Sequence, residues 1–367
     1  MQASDAARIF HDWAFSEGLM PEGPAAPPSS TPAELSLIQP ITERGRQVLR
    51  SKHVASIVFA QTRDEIIVFT KRAAPTSKKL VGALPASIDN VVIRYRQGAE
   101  TPIGPEPTIS FGGPPYVVRQ TGTATRYTCG SSISVGNFRD AGSLGCLVRN
   151  AAGVLHGLSN NHVSGGCNFA GIGLPILAPG IVDVMPNGLA PFTLGFHALS
   201  LNMVSGSVDN VDPKTNQDAA IFRIANEGLV SSFQGTFYDT PIATIDFVDG
   251  MEVEKVGRTT GHTRGRVIGQ IFGAQTIQYT AALYGFTGLV SFDPAFSIVG
   301  QGDLFSDNGD SGSLITTVDG NGQRFAVGIV VGGKGDSSAP GGKTTIALPI
   351  SPILQGFGVN LVSGHNI

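Results

Sequence analysis

One serine in the sequence lies in a segment suited to nucleophilic chemistry. Ser311 stands in NGDSGS at residues 308–313, which leads into the apolar run SLITTV. A nucleophilic serine needs a tight turn that exposes its oxygen, and backbone N–H groups aimed at the negative charge that develops on the substrate. Glycines before and after the serine permit such a turn. The segment therefore predicts an activated serine at Ser311.

A nucleophilic serine also needs a base, and the base needs a carboxylate that orients it. His162 follows LSNN at the end of an apolar run, and Asp218 stands directly before the apolar run AAIF. Alone, neither residue would mean much, because the chain has seven histidines and an aspartate before a strand is usually a turn residue or cap. With Ser311 they occur in the order His, Asp, Ser, each at the edge of a predicted strand. The set predicts a catalytic triad.

Short strands must position these residues. The chain has 48 glycines, 23 prolines and only 14% charged residues, which favours an all-β body with frequent turns. After residue 117 the apolar runs between turn signals are GSLGCLVRN, GVLHGLS, QDAAIFRI, MEVEKVG, RGRVIGQIFG, FTGLVSF, SGSLITTV, RFAVGIVVGG and TTIALPI. Their spacing, with long irregular loops, predicts a β-barrel or sandwich, and two β-barrels in succession also fit.

The sequence before these strands differs from them in composition and pattern. Residues 1–32 are rich in Ala, Pro and Ser and predict a mobile N-terminal arm. Residues 33–98 contain a helical pattern and the strand-like runs HVASIVFA, EIIVFTKR and NVVIRYR, which predict a small α+β domain. Residues 99–116 are rich in Pro and Gly and predict a linker. Residues 117–367 then form the domain that carries the triad.

The charge is unevenly distributed along the chain. The formal net charge is −3, yet residues 41–97 hold 11 Lys and Arg against 4 Asp and Glu. One interpretation is a solvated basic face. The other is a docking surface for an acidic partner or nucleic acid, although no RNA- or DNA-binding motif accompanies it.

The composition also bears on compartment and cofactors. The first 20 residues lack the apolar core of a secretory signal, and no apolar run reaches transmembrane length. Three cysteines are a poor disulfide framework, so we expect a cytoplasmic protein with no membrane contact. There is no C-x-x-C, H-E-x-x-H or phosphate-binding glycine loop, and the acidic run at 303–310 lacks calcium-ligand spacing. We expect no cofactor and no metal.

From about residue 122 to residue 354 the chain resembles the chymotrypsin-fold (trypsin-like) serine peptidases, particularly the bacterial branch similar to α-lytic protease. The segments that carry the resemblance are NNHV, QDAAIF, KVGRTTG and NGDSGS, in that order. The chain is also loosely similar to the plant narrow-leaf trypsin-like protease, which likewise places extra sequence before its peptidase part. The resemblance implies a mainly β, chymotrypsin-like double β-barrel, here preceded by the small α+β N-terminal domain.

The resemblance also implies a role for each matching residue. Ser311 would be the nucleophile, His162 the general base and acid, and Asp218 the orienting carboxylate. The backbone N–H groups of Gly309 and Ser311 would form the oxyanion hole. The implied activity is that of a serine endopeptidase, which cleaves peptide bonds through an acyl-enzyme on Ser311.

Two residues would support the nucleophile loop. In the family, the aspartate before the nucleophile is held by a buried positive charge, and here that aspartate is Asp310. The bacterial branch uses the arginine of G-R-T-T-G, so we expect Arg258 to pair with Asp310, since the two charges can be buried together at lower cost than either alone.

The resemblance also raises the question of a disulfide. Many secreted relatives have a bond that brackets the catalytic histidine, and Cys146 and Cys167 lie on either side of His162. The alternative, reduced thiols in a cytoplasmic protein, is left open.

Substrate specificity depends on the residues around a first pocket. Phe305 stands six residues before Ser311, where trypsin has a carboxylate that selects Lys or Arg. Trypsin-like specificity is therefore not supported, and we expect a small or apolar side chain to be selected. Thr344 and Thr345 are expected to line the pocket from the opposite strand.

The segment GIVVGG at 328–333 resembles the strand that pairs with the substrate backbone. Val331, Gly332 and Gly333 would then contact the peptide, with the glycines leaving room for the pocket. The family commonly has a serine at the position of Val331, which helps to hold the triad aspartate. Its replacement puts full activity in question.

Two further functions stay open beside the peptidase. One is a peptide-binding or scaffold protein on a peptidase fold, without turnover. The other is a latent protease, inactive until a partner binds the basic N-terminal domain. The expected partners are a protein or peptide substrate and this regulatory partner, and the chain could also form a homo-oligomer.

Overall fold

The structure is a computed structural model that describes residues 1–20, 29–38, 42–72, 78–98, 118–121, 124–186 and 188–367. The α-helices are α1 (Ala3–Ser16), α2 (Pro32–Leu35), α3 (Glu43–Lys52), α4 (Lys78–Val81), α5 (Asn161–Ser164) and α6 (Ile350–Phe357). The first twelve strands are β1 (Val54–Ala60), β2 (Glu65–Thr70), β3 (Ser87–Ile88), β4 (Val91–Gln97), β5 (Val118–Thr121), β6 (Ala124–Cys129), β7 (Ser132–Val135), β8 (Gly142–Ser143), β9 (Cys146–Asn150), β10 (Leu155–Ser159), β11 (Pro175–Ala178) and β12 (Phe192–Ser200). The remaining strands are β13 (Ala220–Ile224), β14 (Val230–Gln234), β15 (Tyr238–Asp239), β16 (Glu252–Gly257), β17 (Gly261–Ile271), β18 (Gln275–Ala281), β19 (Phe286–Phe292), β20 (Phe296–Gly300), β21 (Leu314–Val318), β22 (Arg324–Gly335), β23 (Lys343–Pro349) and β24 (Val359–Leu361).

The C-terminal half of the molecule forms a closed barrel. Its six strands follow the order β16, β21, β22, β23, β20, β17, and β16 also pairs with β17 to close the ring. Val267, Ile298 and Ile315 are among the residues of one buried apolar cluster within this barrel. Strand closure of this kind leaves each barrel strand with neighbours on both sides.

The preceding strands form a second, open barrel. An eight-stranded sheet runs in the order β24, β9, β10, β13, β12, β11, β7, β8, and a four-stranded sheet of β15, β14, β6 and β5 accompanies it. Together with the closed barrel they confirm the predicted mainly β, chymotrypsin-like double barrel. Among the described strands, β18 and β19 pair only with each other, and they form a hairpin that lies in the chain between β17 and β20 of the closed barrel.

The N-terminal strands extend the sheet of the closed barrel. Strand β1 pairs with β17, with Val58 opposite Ile271 and Phe59 opposite Gln270, and β2, β4 and β3 continue outward. The segment 33–98 thus contains the expected mixture of helices and strands, and it is joined edge to edge to the barrel.

The expected mobile arm at residues 1–32 is wrong for its first half. Helix α1 runs over Ala3–Ser16 and buries Ala6, Phe10 and Trp13 in an apolar cluster with the N-terminal strands. The apolar residues recur at helical spacing along one face, which composition alone conceals. The expected linker at 99–116 lies outside the described residues.

Two sequence expectations concern thiols and membranes. Cys129, Cys146 and Cys167 are all free and buried, so Cys146 and Cys167 are not bonded to each other. Among the helices within the described ranges, none has both the length and the apolar character needed to cross a bilayer.

Candidate active site

Neighbouring strands bring His162 and Asp218 together. Strands β10 and β13 are antiparallel, and Ser159 at the end of β10 lies opposite Ala220 at the start of β13. The chain leaves β10 into the single turn of α5, which holds His162, and reaches β13 through Asp218. The strand register therefore places both side chains at the same edge of the sheet.

The two side chains form a buried pair. His162 Nδ1 lies 2.6 Å from Asp218 Oδ2, and the backbone N–H of His162 donates to Asp218 Oδ1 at 3.0 Å. Asp218 is fully buried and His162 is 8% exposed. Burial lowers the pKa of His162, but the charge and hydrogen bond of Asp218 outweigh it, so the pKa is raised above the ordinary histidine value. The carboxylate thus fixes the orientation of the ring and favours its protonated form.

The nucleophile loop joins β20 to β21 and comes against the end of β10. Gly312 has a φ of 91°, and a side chain there would meet the Ser159 hydroxyl and the Ser143 carbonyl. The backbone N–H of Ser143 donates to the Ser311 carbonyl at 2.8 Å. These contacts hold Ser311 beside the strand end from which His162 projects, as the predicted triad requires.

The backbone around Ser311 leaves two donors free. Within the described part of the chain, neither the Gly309 N–H nor the Ser311 N–H donates a hydrogen bond. Gly309 has a φ of 94°, and its carbonyl accepts from Ser143 Oγ at 3.1 Å. Ser311 is partly exposed. The two free N–H groups are those expected to form an oxyanion hole.

No hydrogen bond joins Ser311 Oγ to His162 within the described residues. Sites of this kind commonly acquire that bond only when substrate binds. The structure therefore holds His162 and Asp218 in contact and places the nucleophile loop against the end of β10.

The prediction that Arg258 pairs with Asp310 is wrong. The cation nearest Asp310 is Lys255 of β16, whose Nζ lies 3.5 Å from Asp310 Oδ2. Asp310 also accepts from the backbone N–H groups of Thr259 and Thr260 at 2.8 and 3.1 Å. Lys255 is fully buried, and this burial lowers its pKa although Asp310 acts in the opposite direction. The buried charge that the loop needs is present, but a lysine provides it.

Arg258 is buried as expected and forms a different ion pair. Its Nε donates to Asp183 Oδ2 at 2.8 Å, and its Nη2 donates to the other carboxylate oxygen. Its backbone N–H donates to Ser143 Oγ at 2.9 Å. A side chain at Gly309 would meet the Arg258 guanidinium, so the arginine lies directly behind the oxyanion loop. Asp183 ends the short 3-10 helix Ile181–Asp183, and the sequence offered no signal for its role.

Asp140 is a second carboxylate that the sequence did not indicate. Burial raises the pKa of Asp140 to about 6, partly offset by a backbone hydrogen bond and by the charges of His162 and Arg258. Asp140 and His162 thus lie close enough for their charges to act on each other.

The residues expected to bind substrate divide into two groups. Gly332 and Gly333 are partly exposed on β22, where a peptide backbone could pair, whereas Val331 is fully buried. Thr344 and Thr345 are buried on β23, and Thr345 Oγ1 lies 2.5 Å from Ser306 Oγ.

The expectation that Phe305 lines the pocket is corrected by its burial. Phe305 is 1% exposed and belongs to the same apolar cluster as Val267 and Ile298. Its ring therefore fills the barrel, because the chain before the nucleophile turns inward at this point.

Tyr279 on the β18–β19 hairpin was missed altogether. Its hydroxyl donates to Asp218 Oδ2 at 3.0 Å. The only signal in the sequence is the alternating strand QTIQYTA, which contains the tyrosine but gives no hint of its partner.

Several solved structures of bacterial enzymes are similar to this chain. Protease A of Thermobifida fusca is 23% identical over 65% of this chain and 98% of its own, with a TM-score of 0.41. Nocardiopsis protease is 21% identical over 64% of this chain and 97% of its own, with a TM-score of 0.40. The chymotrypsin of Cellulomonas bogoriensis is 20% identical over 64% of this chain and 98% of its own, with a TM-score of 0.39.

The chain matches no protein-family model and no curated protein. The fold assignment rests on the strand order of the closed barrel and its open partner. By that order the chain has the chymotrypsin-like double β-barrel, the fold of bacterial serine proteases such as these.

Proposed function

We propose that the protein is a serine endopeptidase with Ser311 as nucleophile, His162 as base and Asp218 as orienting carboxylate. The observation that carries the proposal is the buried His162–Asp218 pair, joined at 2.6 Å, beside a serine in a glycine turn. A structural aspartate or histidine would not need this pairing next to a partly exposed serine with free backbone donors. The combination matches what acyl transfer requires.

The reaction follows from the positions of the donors and acceptors. Asp218 occupies Nδ1 of His162, so Nε2 can accept the proton of Ser311 as its oxygen attacks the peptide carbonyl. The free N–H groups of Gly309 and Ser311 would hold the oxyanion. His162 then gives the proton to the departing amine, and water releases the acyl group by the reverse sequence of proton transfers.

Substrate binding is proposed to use strand addition. An extended peptide would pair with β22 at Gly332 and Gly333, the partly exposed glycines beside the nucleophile loop. The buried position of Phe305 removes a bulky ring from the pocket wall. A small or apolar side chain remains the expected preference.

We also propose that the N-terminal segment regulates this strand. Lys334, directly after the substrate-pairing glycines, donates to Ser56 Oγ of β1. Two residues further on, the Asp336 carboxylate accepts from Arg96 of β4 at 3.3 Å. A partner that binds the basic N-terminal face could therefore change the substrate strand through direct contacts.

Labelling with a fluorophosphonate tests the proposed nucleophile. The wild-type protein is expected to gain one adduct by intact mass, and Ser311→Ala none. The matched control is Ser337→Ala, an exposed serine, which should label like wild type. Peptide mapping should place the adduct on Ser311.

Cleavage of a mixed peptide library then separates turnover from binding. New termini with the wild type but not with Ser311→Ala would support an endopeptidase. An adduct on Ser311 without cleavage would favour the latent form, and no adduct with peptide binding would favour the binding or scaffold alternative.

A further inference from the structure

The catalytic aspartate has a neighbour that comes from outside both barrels. Tyr279 lies on β18 of the hairpin, is fully buried, and donates its hydroxyl to Asp218 Oδ2 at 3.0 Å. The same oxygen contacts His162 Nδ1 at 2.6 Å. One carboxylate oxygen is therefore shared by the histidine and the tyrosine.

The hairpin is tied to the aspartate at a second point. Asn216, two residues before Asp218, donates from Nδ2 to the Ser291 carbonyl of β19 at 3.0 Å and to the Val204 carbonyl at 3.1 Å. The Val204 N–H donates back to Asn216 Oδ1 at 2.8 Å. Both strands of the hairpin thus contact the segment that presents Asp218.

The tip of the hairpin is held by two side-chain contacts of Tyr284. Asn137 Nδ2 donates to the Tyr284 hydroxyl at 3.3 Å, and the Tyr284 ring stacks on Phe169 with 5.6 Å between ring centroids. Phe169 follows the turn that contains His162. The hairpin therefore reaches from the catalytic aspartate to the loops on either side of the histidine.

A buried phenol could simply fill the core, and Tyr279 does pack against Phe292 with 6.1 Å between ring centroids. A core filler would not need a hydroxyl, since a buried hydroxyl is costly without a partner. Here the hydroxyl has the carboxylate of Asp218 as its partner, and both side chains are fully buried. A hydrogen bond to a charged group in such a site is stronger than an ordinary one.

We propose that Tyr279 is a positioning residue of the triad: its hydroxyl fixes Asp218 and limits how strongly that carboxylate holds the protonated ring of His162. The inference rests on the proposed function. At Val331, where the family commonly has a serine that serves the aspartate, this chain has a buried apolar side chain. The hairpin supplies a hydroxyl donor that a valine cannot.

The electrostatic surroundings fix the sign of the effect. His162 is influenced by Asp218 and Asp140, and Tyr279 by Asp218 and the buried thiol of Cys167. Loss of the tyrosine hydroxyl removes one hydrogen bond from the Asp218 oxygen that contacts His162, so that oxygen holds the protonated ring more strongly. The pKa of His162 then rises further, and a more acidic phenol would have the opposite effect.

The test is Tyr279→Phe in the full chain, followed by NMR titration of the His162 ring, whose signals are assigned by comparison with His162→Gln. We expect the His162 pKa to rise by about half a unit or more. The matched control is Tyr95→Phe, which loses a hydroxyl bond of the same 3.0 Å length to Pro85, far from the triad. That control should leave the His162 titration unchanged.

A second variant keeps the packing intact. Site-specific 3,5-difluorotyrosine at position 279 makes the phenol a stronger donor, and we expect it to lower the His162 pKa. Where the protein cleaves peptide, kcat of Tyr279→Phe should fall about tenfold with KM little changed. The apparent pKa of the acid limb of its pH–rate profile should then equal the His162 pKa measured by NMR.

The titration does not need turnover, so the two proposals fail separately. A wild-type protein that neither labels nor cleaves would count against the peptidase. An unmoved His162 titration in both the phenylalanine and the difluorotyrosine protein would overturn the role of Tyr279, whatever the activity.

Discussion

At the scale of single residues, the charge on His162 is set by two neighbouring carboxylates and by burial. Asp218 raises the pKa of His162 through its charge and hydrogen bond, Asp140 raises it through its charge, and burial acts against both. The base must be neutral to accept the serine proton. Activity is therefore expected to fall as the pH drops below the pKa of His162, and this pKa is higher than that of an ordinary histidine.

Asp140→Asn should move that acid limit. Burial raises the pKa of Asp140 to about 6, so the carboxylate is ionised when His162 loses its proton, and removing its charge should lower the His162 pKa. The acid limb of kcat/KM is then expected to shift to lower pH by about half a unit. Asp246→Asn, an exposed carboxylate, is the control and should show no shift. A limb that stays in place would mean that Asp140 does not act on His162.

The residues proposed as the triad could be singled out from the sequence because each stands at a strand edge inside a short motif. The partners of those residues could not. Tyr279 of the hairpin contacts Asp218, and Asp183 of a 3-10 helix contacts Arg258. In each pair the two residues are far apart in the sequence. Such contacts depend on how elements pack, and a single sequence carries no local signal for them.

At the scale of elements, the nucleophile loop is held by two buried cations of the β16–β17 turn and its preceding strand. Lys255 neutralises Asp310, and Arg258 lies behind Gly309 while bound to Asp183. Two separate ion pairs thus support the loop where the sequence led us to expect one. Asp310 and Gly309 therefore each have their own buried cation beside them.

Lys255→Met should be costly for the same reason. It leaves Asp310 buried without a cation, and we expect the free energy of unfolding to fall by about 3 kcal/mol. Lys343→Met removes a partly exposed lysine whose Nζ lies 2.7 Å from Asp307, and should cost only about 0–1 kcal/mol. Chemical denaturation of both variants measures the difference. Equal costs would show that the Lys255–Asp310 pair contributes no more than a surface pair.

At the scale of the whole molecule, the N-terminal segment contacts the end of β22, the strand proposed to pair with substrate. Arg96 lies 3.3 Å from the fully buried carboxylate of Asp336, and the Ser337 N–H donates to the Gln97 carbonyl at 3.2 Å. These contacts join β4 to the end of β22. The basic N-terminal segment therefore contacts the end of β22 directly, through Arg96 and Gln97.

Arg96→Ala should weaken substrate binding more than chemistry. Loss of the pair loosens the end of β22, so we expect KM to rise about fivefold with little change in kcat. The control is Arg94→Ala on the same strand, whose side chain is 61% exposed and pairs with Glu65. Steady-state kinetics on one peptide decides: similar KM values for both variants would rule out coupling through Arg96.

The fold class was accessible from the sequence because strand runs and turn residues repeat clearly after residue 117. Helix α1 was not, because its alanines suggested a low-complexity arm, and only the spacing of Ala3, Ala6, Phe10 and Trp13 distinguishes a packed helix face. The pairing of β1 with β17 was equally hidden, because sheet edges meet through tertiary packing.

The pairing of β1 with β17 also limits self-association of the protein. Strand β17 would otherwise present open N–H and C=O groups near Gln270 and Ile271, and β1 occupies them. An uncovered edge of this kind is a template on which other chains can add strands and aggregate. The N-terminal segment therefore also protects the protein from aggregation. Two barrels produced without this segment would have an unpaired edge strand at β17.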